Sequence, residues 1–288
     1  MRPAWGAGES VHVDEVKRYY EQNTRRFLSF GQGGAAGAIH RAVWAEGVRD
    51  RRDAFHCVHD LVWREAQRLA NPLRMLDLGC GVGACLQYVS ERTPLEGIGI
   101  TLSPLQVKLA RERLANHPTV PTVRFHEGNF EHLPSIEPVH LATAIESFIH
   151  CSDPNRFFSE VARVLRPGGR LIICDDFLGI PATTAGPTGR MMIDEFKQGW
   201  HAGTLETVAT IDAIARRHGF ELATDTDLSP YLELGRWRDR AVAQLVRLGK
   251  RVGLRTKYFQ SLLGGDALQR CLRSGLVQYR FVVWSATT

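Results

Sequence analysis

The sequence predicts an α/β protein: a doubly wound, mostly parallel seven-stranded sheet with an N-terminal helical cap and a helical insertion before the last strands. Two observations carry this. Between Leu73 and Phe177, short apolar runs alternate with helical stretches, as in a parallel sheet whose crossovers are helices. The first run, Leu73 to Leu78, closes on glycines at 79, 81 and 83, as a strand turning tightly into a helix does. The 288 residues, 44% of them hydrophobic, suffice for one such core with decorations.

Residues 11 to 28 mix charge and aromatics at helical spacing, with Val13, Val16, Tyr20 and Phe27 near one side. A glycine-rich loop (Gly31, Gly33) then leads into a second helix read through Trp63 and Leu69 and ended by Asn71-Pro72. Leu73 to Leu78 is the first strand and Leu95 to Ser103 the second. The following helix has Ser103 at its N-cap and Pro104 as its first residue. Thr122 to Asn129 and Pro138 to Phe148 give strands three and four. A helix from Asn155, a Pro-Gly-Gly break and a fifth strand ending at Phe177 come next. Residues 178 to 205, rich in Gly, Thr and Pro, read as a linker. A helix over 204–220, a strand from Glu221, a long helix from Glu233 to Val252 and a final strand at Phe281 to Trp284 complete the chain.

Composition narrows the function. No apolar run approaches the roughly 18 residues that cross a bilayer, and the early acids without an apolar stretch argue against a secretory signal. Six scattered cysteines without a C-x-x-C pair suggest a reduced, cytoplasmic setting. The net charge of +5 permits an anionic partner. The arginines are spread along the chain, however, so no nucleic-acid partner is expected, and an RNA-modifying role is the least favoured class.

Asp77-Leu-Gly79-Cys-Gly81-Val-Gly83 lies where such a sheet binds ligands. It does not have the G-x-G-x-x-G spacing of a dinucleotide site. Together with Leu165 to Gly169 (L-x-P-G-G), the motif resembles the class I S-adenosylmethionine-dependent methyltransferases, over about residues 70–180. The resemblance implies a Rossmann-like methyltransferase core, 71–288, under an N-terminal lid, 1–70, with S-adenosylmethionine as cofactor. Gly79, Gly81 and Gly83 would line its methionine part and Asp77 would lie near its amino group. The second strand has no terminal acid; its Thr101-Leu-Ser-x-x-Gln106 pattern is similar to cyclopropane synthases and related carbon methyltransferases, where Thr and Gln hold the ribose. Asn129, followed by Phe130, stands at the adenine position.

Glu146 follows the fourth strand at the mouth of this site. A carboxylate there can take a proton from the cation left by methyl addition to an alkene, or simply bond a helix end or waters. His150 reads as a second acid or base, a diphosphate contact or a core histidine. Sterol, tocopherol and prenyl diphosphate carbon methyltransferases resemble this chain in having a Glu at this place. The block Tyr19-Tyr20, Thr24, Phe27 and Ile39-His40 looks like their lid, which makes Tyr20 a candidate catalytic residue.

These features point to a carbon methyltransferase of terpenoid secondary metabolism, acting on a prenyl diphosphate alkene through a carbocation that is deprotonated or cyclised. Phe27, Arg190, Lys197, Trp200, His201 and Tyr231 are the expected substrate contacts. Asp194 or Glu195 would assist a Mg2+ ion if the acceptor is a diphosphate. Methylation of carbon, oxygen or nitrogen on a prenylated alkaloid or another small natural product is the alternative. A homo-oligomer is expected.

Overall fold

The computed structural model describes residues 13–21, 24, 39–115, 122–254 and 256–287. Seven strands form one sheet: β1 (Leu73–Leu78), β2 (Leu95–Thr101), β3 (Val123–Glu127), β4 (Val139–Ile145), β5 (Leu165–Leu178), β6 (Phe220–Asp227) and β7 (Val277–Ala286). Their order is β3-β2-β1-β4-β5-β7-β6, with β7 antiparallel to both neighbours and the rest parallel. The expected sheet is therefore present.

Burial on both faces explains the unbroken apolar strands. Along β5, Leu171 and Ile173 face one core while Ile172 and Cys174 face the other. The first core is closed by α5 (Pro154–Val164) and α7 (Val208–Arg217), through Phe157, Phe158, Val161 and Ile211. The second is closed by α2 (Arg51–Ala66), α3 (Ala84–Ser90) and α4 (Pro104–Ala115), through Val58, Val62, Leu86 and Val107. Ser103 bonds the Gln106 N–H at 3.3 Å, as the N-cap reading required. Residues 13–21 form α1, which carries the described part of the expected first helix.

Four local expectations are corrected. The second helix starts only at Arg51, where Asp50 caps it by accepting from the Asp53 N–H at 2.8 Å; residues 39–50 run irregularly and Val43 bridges to Leu232. It also ends at Ala66, before Asn71. Pro-Gly-Gly does not separate helix from strand: β5 already starts at Leu165, and these residues are taken up in a register shift against β4. The linker reading of 178–205 fails because α6 (Pro187–Trp200) occupies its second half, with Pro187 as the first helical residue. The late insertion holds two helices, α8 (Trp237–Arg251) and α9 (Lys257–Arg273), the second hidden from sequence reading by its Gly264-Gly265 pair.

Those glycines differ in role. A Cβ on Gly199 of α6 would stand 2.4 Å from the Gly264 Cα, so the two helices touch backbone to backbone; a Cβ on Gly265 meets nothing within 4 Å. This contact fixes α6, which ends on Trp200. Gly199→Ala should cost about 1–3 kcal/mol by overpacking. Gly265→Ala should be stabilising by roughly 0.5–1 kcal/mol through helix propensity. Urea unfolding of both variants checks the pair, and equal effects would contradict the assigned contact.

Candidate active site

Strand order reverses between β1 and β4, and the carboxyl ends of these strands leave a crevice. A cleft of about 1120 Å³, open mouth included, occupies it.

The turn after β1 makes one wall. Gly79 and Gly81 line the cleft at φ 79° and 54°. A Cβ on Gly79 would lie 2.3 Å from the Ser147 Cβ, so only glycine serves there. Gly83 does not reach the cleft; it caps α3 and packs against Phe125. Thr101 donates to Gln106 Oε1 at 2.6 Å, and Gln106 donates to Thr24 at 3.1 Å. Asn129 and Phe130 line the same side. Asp77 opens on a small adjoining cavity shared with Gly79 and Gly81. It accepts from Thr143 at 2.9 Å, and burial pushes its carboxyl up to about 7. A buried carboxyl suited to a cation, hydroxyl and amide groups suited to a sugar and a base, and glycines allowing close approach match the donors that an adenosyl amino acid needs.

The opposite wall is acidic. Glu146, Asp175 and Asp176 converge at the ends of β4 and β5. Arg41 grips Asp176 through both guanidinium nitrogens at 2.7 and 2.6 Å. It also reaches Glu146 Oε1 with its side chain at 3.1 Å and its backbone N–H at 2.8 Å. The guanidinium carbon lies 4.4 Å from the centre of the Tyr279 ring. Glu146 adopts φ 48°, a left-handed conformation costing roughly 1–2 kcal/mol for a residue with a side chain, which these bonds offset. Asp175 accepts from the backbone N–H groups of Ile149 and Asp176 at 2.9 and 2.8 Å. Burial and its acidic neighbour push its carboxyl well above the usual range.

His150 ends a 3-10 turn after β4 and faces the cleft. Its Nδ1 is 3.1 Å from the His201 carbonyl, which can only accept. The neutral ring therefore carries its proton on Nδ1 and presents a lone pair at Nε2. The Tyr20 hydroxyl donates to that nitrogen at 2.8 Å, and burial holds the phenol well above its ordinary pKa, so it stays protonated. Behind Arg41, three imidazoles are in line: His56 to His59 at 3.2 Å, His59 to His40 at 2.9 Å, and His40 to the Arg41 carbonyl at 3.0 Å. Burial lowers the pKa of His40 and of His59, keeping that support neutral.

Of the expected substrate contacts, Trp200 lines the cleft with Tyr19 and Tyr20, and Phe27 lies outside the described residues. Arg190, Lys197, Tyr231 and the His201 ring are not brought there. Arg190 is on the outside of α6 and reaches the Thr183 carbonyl, at 3.5 Å; Lys197 and His201 face a side groove with Glu15. Tyr231 is 41% exposed in a turn whose carbonyl accepts from Trp44. Glu195 is held by Lys250 and Arg270, and no group of three or more His, Cys, Asp or Glu placed to hold a metal occurs among the described residues. Sequence reading missed Arg41, Asp175 and Asp176. The adjacent acids ending the apolar run Leu171 to Cys174 were the available signal.

Residues 76–173 match the family described as methyltransferase domain. The chain is 29% identical over 218 residues to O-methyltransferase rstn1 of Aspergillus nomiae, covering 74% of this chain and 92% of that one. It is 32% identical over 157 residues to methyltransferase GfsG of Streptomyces halstedii, covering 54% of this chain and 55% of that protein, about half its length. Its fold matches a geranyl diphosphate methyltransferase structure solved with GPP and sinefungin at TM-score 0.73 and 17% identity, over 95% of this chain and 99% of that one.

The raised pKa of Asp77 has a stability consequence. Protonated Asp77 favours the fold below the ordinary carboxyl value of 3.8, and that contribution is lost as pH rises through about 7. Thermal melts of Asp77→Asn and the parent should therefore diverge with pH, the variant gaining relative stability across this window. A constant difference would show that Asp77 does not titrate there.

Proposed function

The chain belongs to the class I S-adenosylmethionine-dependent methyltransferases, and from that premise we propose that it methylates a hydroxyl oxygen on a small, largely apolar natural product, with His150 as the base. The observation carrying this reading is the tautomer of His150, whose Nε2 lone pair faces the cleft and accepts from a hydroxyl group, that of Tyr20. When bound, S-adenosylmethionine supplies an electrophilic methyl group on a sulfonium. Asp77 holds its amino group, Thr101 and Gln106 its ribose hydroxyls, Asn129 and Phe130 its adenine, and Gly79 and Gly81 allow the close approach.

An acceptor hydroxyl takes the place of the Tyr20 hydroxyl at Nε2. Its proton would pass to His150 as the oxygen takes the methyl group, the sulfur–methyl bond breaking to leave a neutral thioether, and the Nδ1–H on the His201 carbonyl would steady the resulting imidazolium. Tyr19, Trp200, Val13 and Val16 give the acceptor apolar walls. Among the described residues that line the cleft, Arg41 is the only Arg or Lys and is taken by Glu146 and Asp176, so an uncharged acceptor suits the site better than an anionic one.

A second reading, carbon methylation of an alkene, is favoured by the Glu146 carboxylate and the aromatic rings of Tyr19, Tyr20 and Trp200, which suit a carbocation. Mg2+ belongs only to its diphosphate form.

Incubation with hydroxylated polyketide and alkaloid acceptors, isotope-labelled cofactor and product NMR tests the reading. Under oxygen methylation, His150→Ala should lower kcat by about 10²–10⁴-fold with cofactor affinity unchanged, and the labelled carbon should carry the shift of a methoxy group. A carbon-bound methyl, with activity kept in His150→Ala and lost in Glu146→Gln, would replace it by the second reading.

A further inference from the structure

The insertion helix α8 turns three distinct stripes outward and inward. Val246 and Gly249 face the protein, where a Cβ on Gly249 would stand 2.1 Å from the Phe259 ring of α9, so the helix is seated tightly along that line. Trp237, Ala241, Leu245, Leu248 and Val252 recur at steps of three and four residues, which places them along one further line of the helix. All five are exposed, Trp237 at 77% and Val252 at 64%. Leu254 extends the stripe to the side groove that also holds Glu15 of the lid region and His201 at the end of α6. Beside it, Arg240, Arg247 and Arg251 form a third line, and Arg238 stands on the other edge.

These four arginines are exposed and make no ion pair among the described residues. The two acids beside the helix start are engaged: Glu233 with Arg51 and Arg236, Asp239 with Arg236. The face is thus apolar, with uncompensated positive charge along both edges. A second copy laid on it about a twofold axis would bring arginine lines near each other, whereas a surface with negative headgroups above hydrocarbon satisfies both stripes at once. A tryptophan at the end of the apolar line suits the same boundary.

We propose that α8 docks this protein on an anionic lipid surface, with Trp237, Leu245, Leu248 and Val252 entering the acyl boundary and Arg238, Arg240, Arg247 and Arg251 meeting headgroups. The inference concerns binding alone and stands apart from the acceptor assigned above. The stripe ends beside the groove leading to the lid, so docking sets that side of the molecule against the membrane.

Sedimentation of the full chain with vesicles of phosphatidylcholine alone, or mixed with phosphatidylglycerol, tests it. Binding to the mixed vesicles only, weakening with salt, is expected. The variant Arg240→Gln/Arg247→Gln/Arg251→Gln should partition about 100-fold less, from roughly fivefold per basic residue. Leu245→Ser/Leu248→Ser should also lose binding, and both variants should keep the parent's circular dichroism and cofactor affinity because the changed side chains are exposed. No binding to anionic vesicles, or equal binding to both kinds, would overturn the proposal. So would a parent dimer that the leucine variant splits while vesicles leave it untouched.

Discussion

The site is organised around one buried cation. Glu146, Asp175 and Asp176 crowd the ends of β4 and β5, where three carboxylates without compensation would be too costly to bury. Arg41 supplies that compensation from outside the sheet. Its two bonds to Asp176 and two to Glu146 tie the irregular segment before α2 to the carboxyl edge of the sheet. Removing the arginine would leave two buried charges unpaired, the most damaging way to break such a network. Its backbone carbonyl is in turn held by His40, so the line of histidines sets where the cation sits.

The sheet was readable because its physics is local and repetitive. Unbroken apolar strands, glycines after β1 and a capped helix after β2 each leave a mark within a few residues. The proposed cofactor wall shared this property: Gly79, Gly81, Thr101, Gln106 and Asn129 all lie at a strand end or within five residues after it. The other wall did not. Arg41 meets Asp176 across 135 positions, and no spacing rule links them. Arg190 and Lys197 misled for the same reason. Their charges were visible, but the row of α6 that turns inward is set by Ile193 and Phe196 and by the backbone contact at Gly199. Helix α9 was hidden because a glycine pair usually marks a loop, and only its partner helix reveals that one of the two glycines serves close packing.

Electrostatics and shape support the same proposed acceptor. Apolar side chains from α1 and α6 give the outer walls, while the inner polar groups are carboxylates already engaged, a neutral imidazole and hydroxyls. An imidazole whose Nδ1–H rests on a carbonyl turns its Nε2 lone pair toward the cleft, where it can receive a proton, and the nearby acids stabilise it once charged. Glu146 is less free to act. Its nearest oxygen already accepts two bonds from Arg41, so any proton it took would compete with that pair.

Helix α1 and Thr24 beyond it link the two halves of the cleft. Lys17 pairs with Glu127 at 2.6 Å at the end of β3, Thr24 accepts from Gln106 on the cofactor wall, and Tyr20 occupies His150 on the other. Because Nε2 is the one lone pair the neutral ring offers, an acceptor hydroxyl that uses His150 must displace Tyr20. The bonds at Lys17 and Thr24 need not break for that. Acceptor entry can therefore be answered by a side-chain movement at Tyr20, with the helix still anchored over the cofactor half.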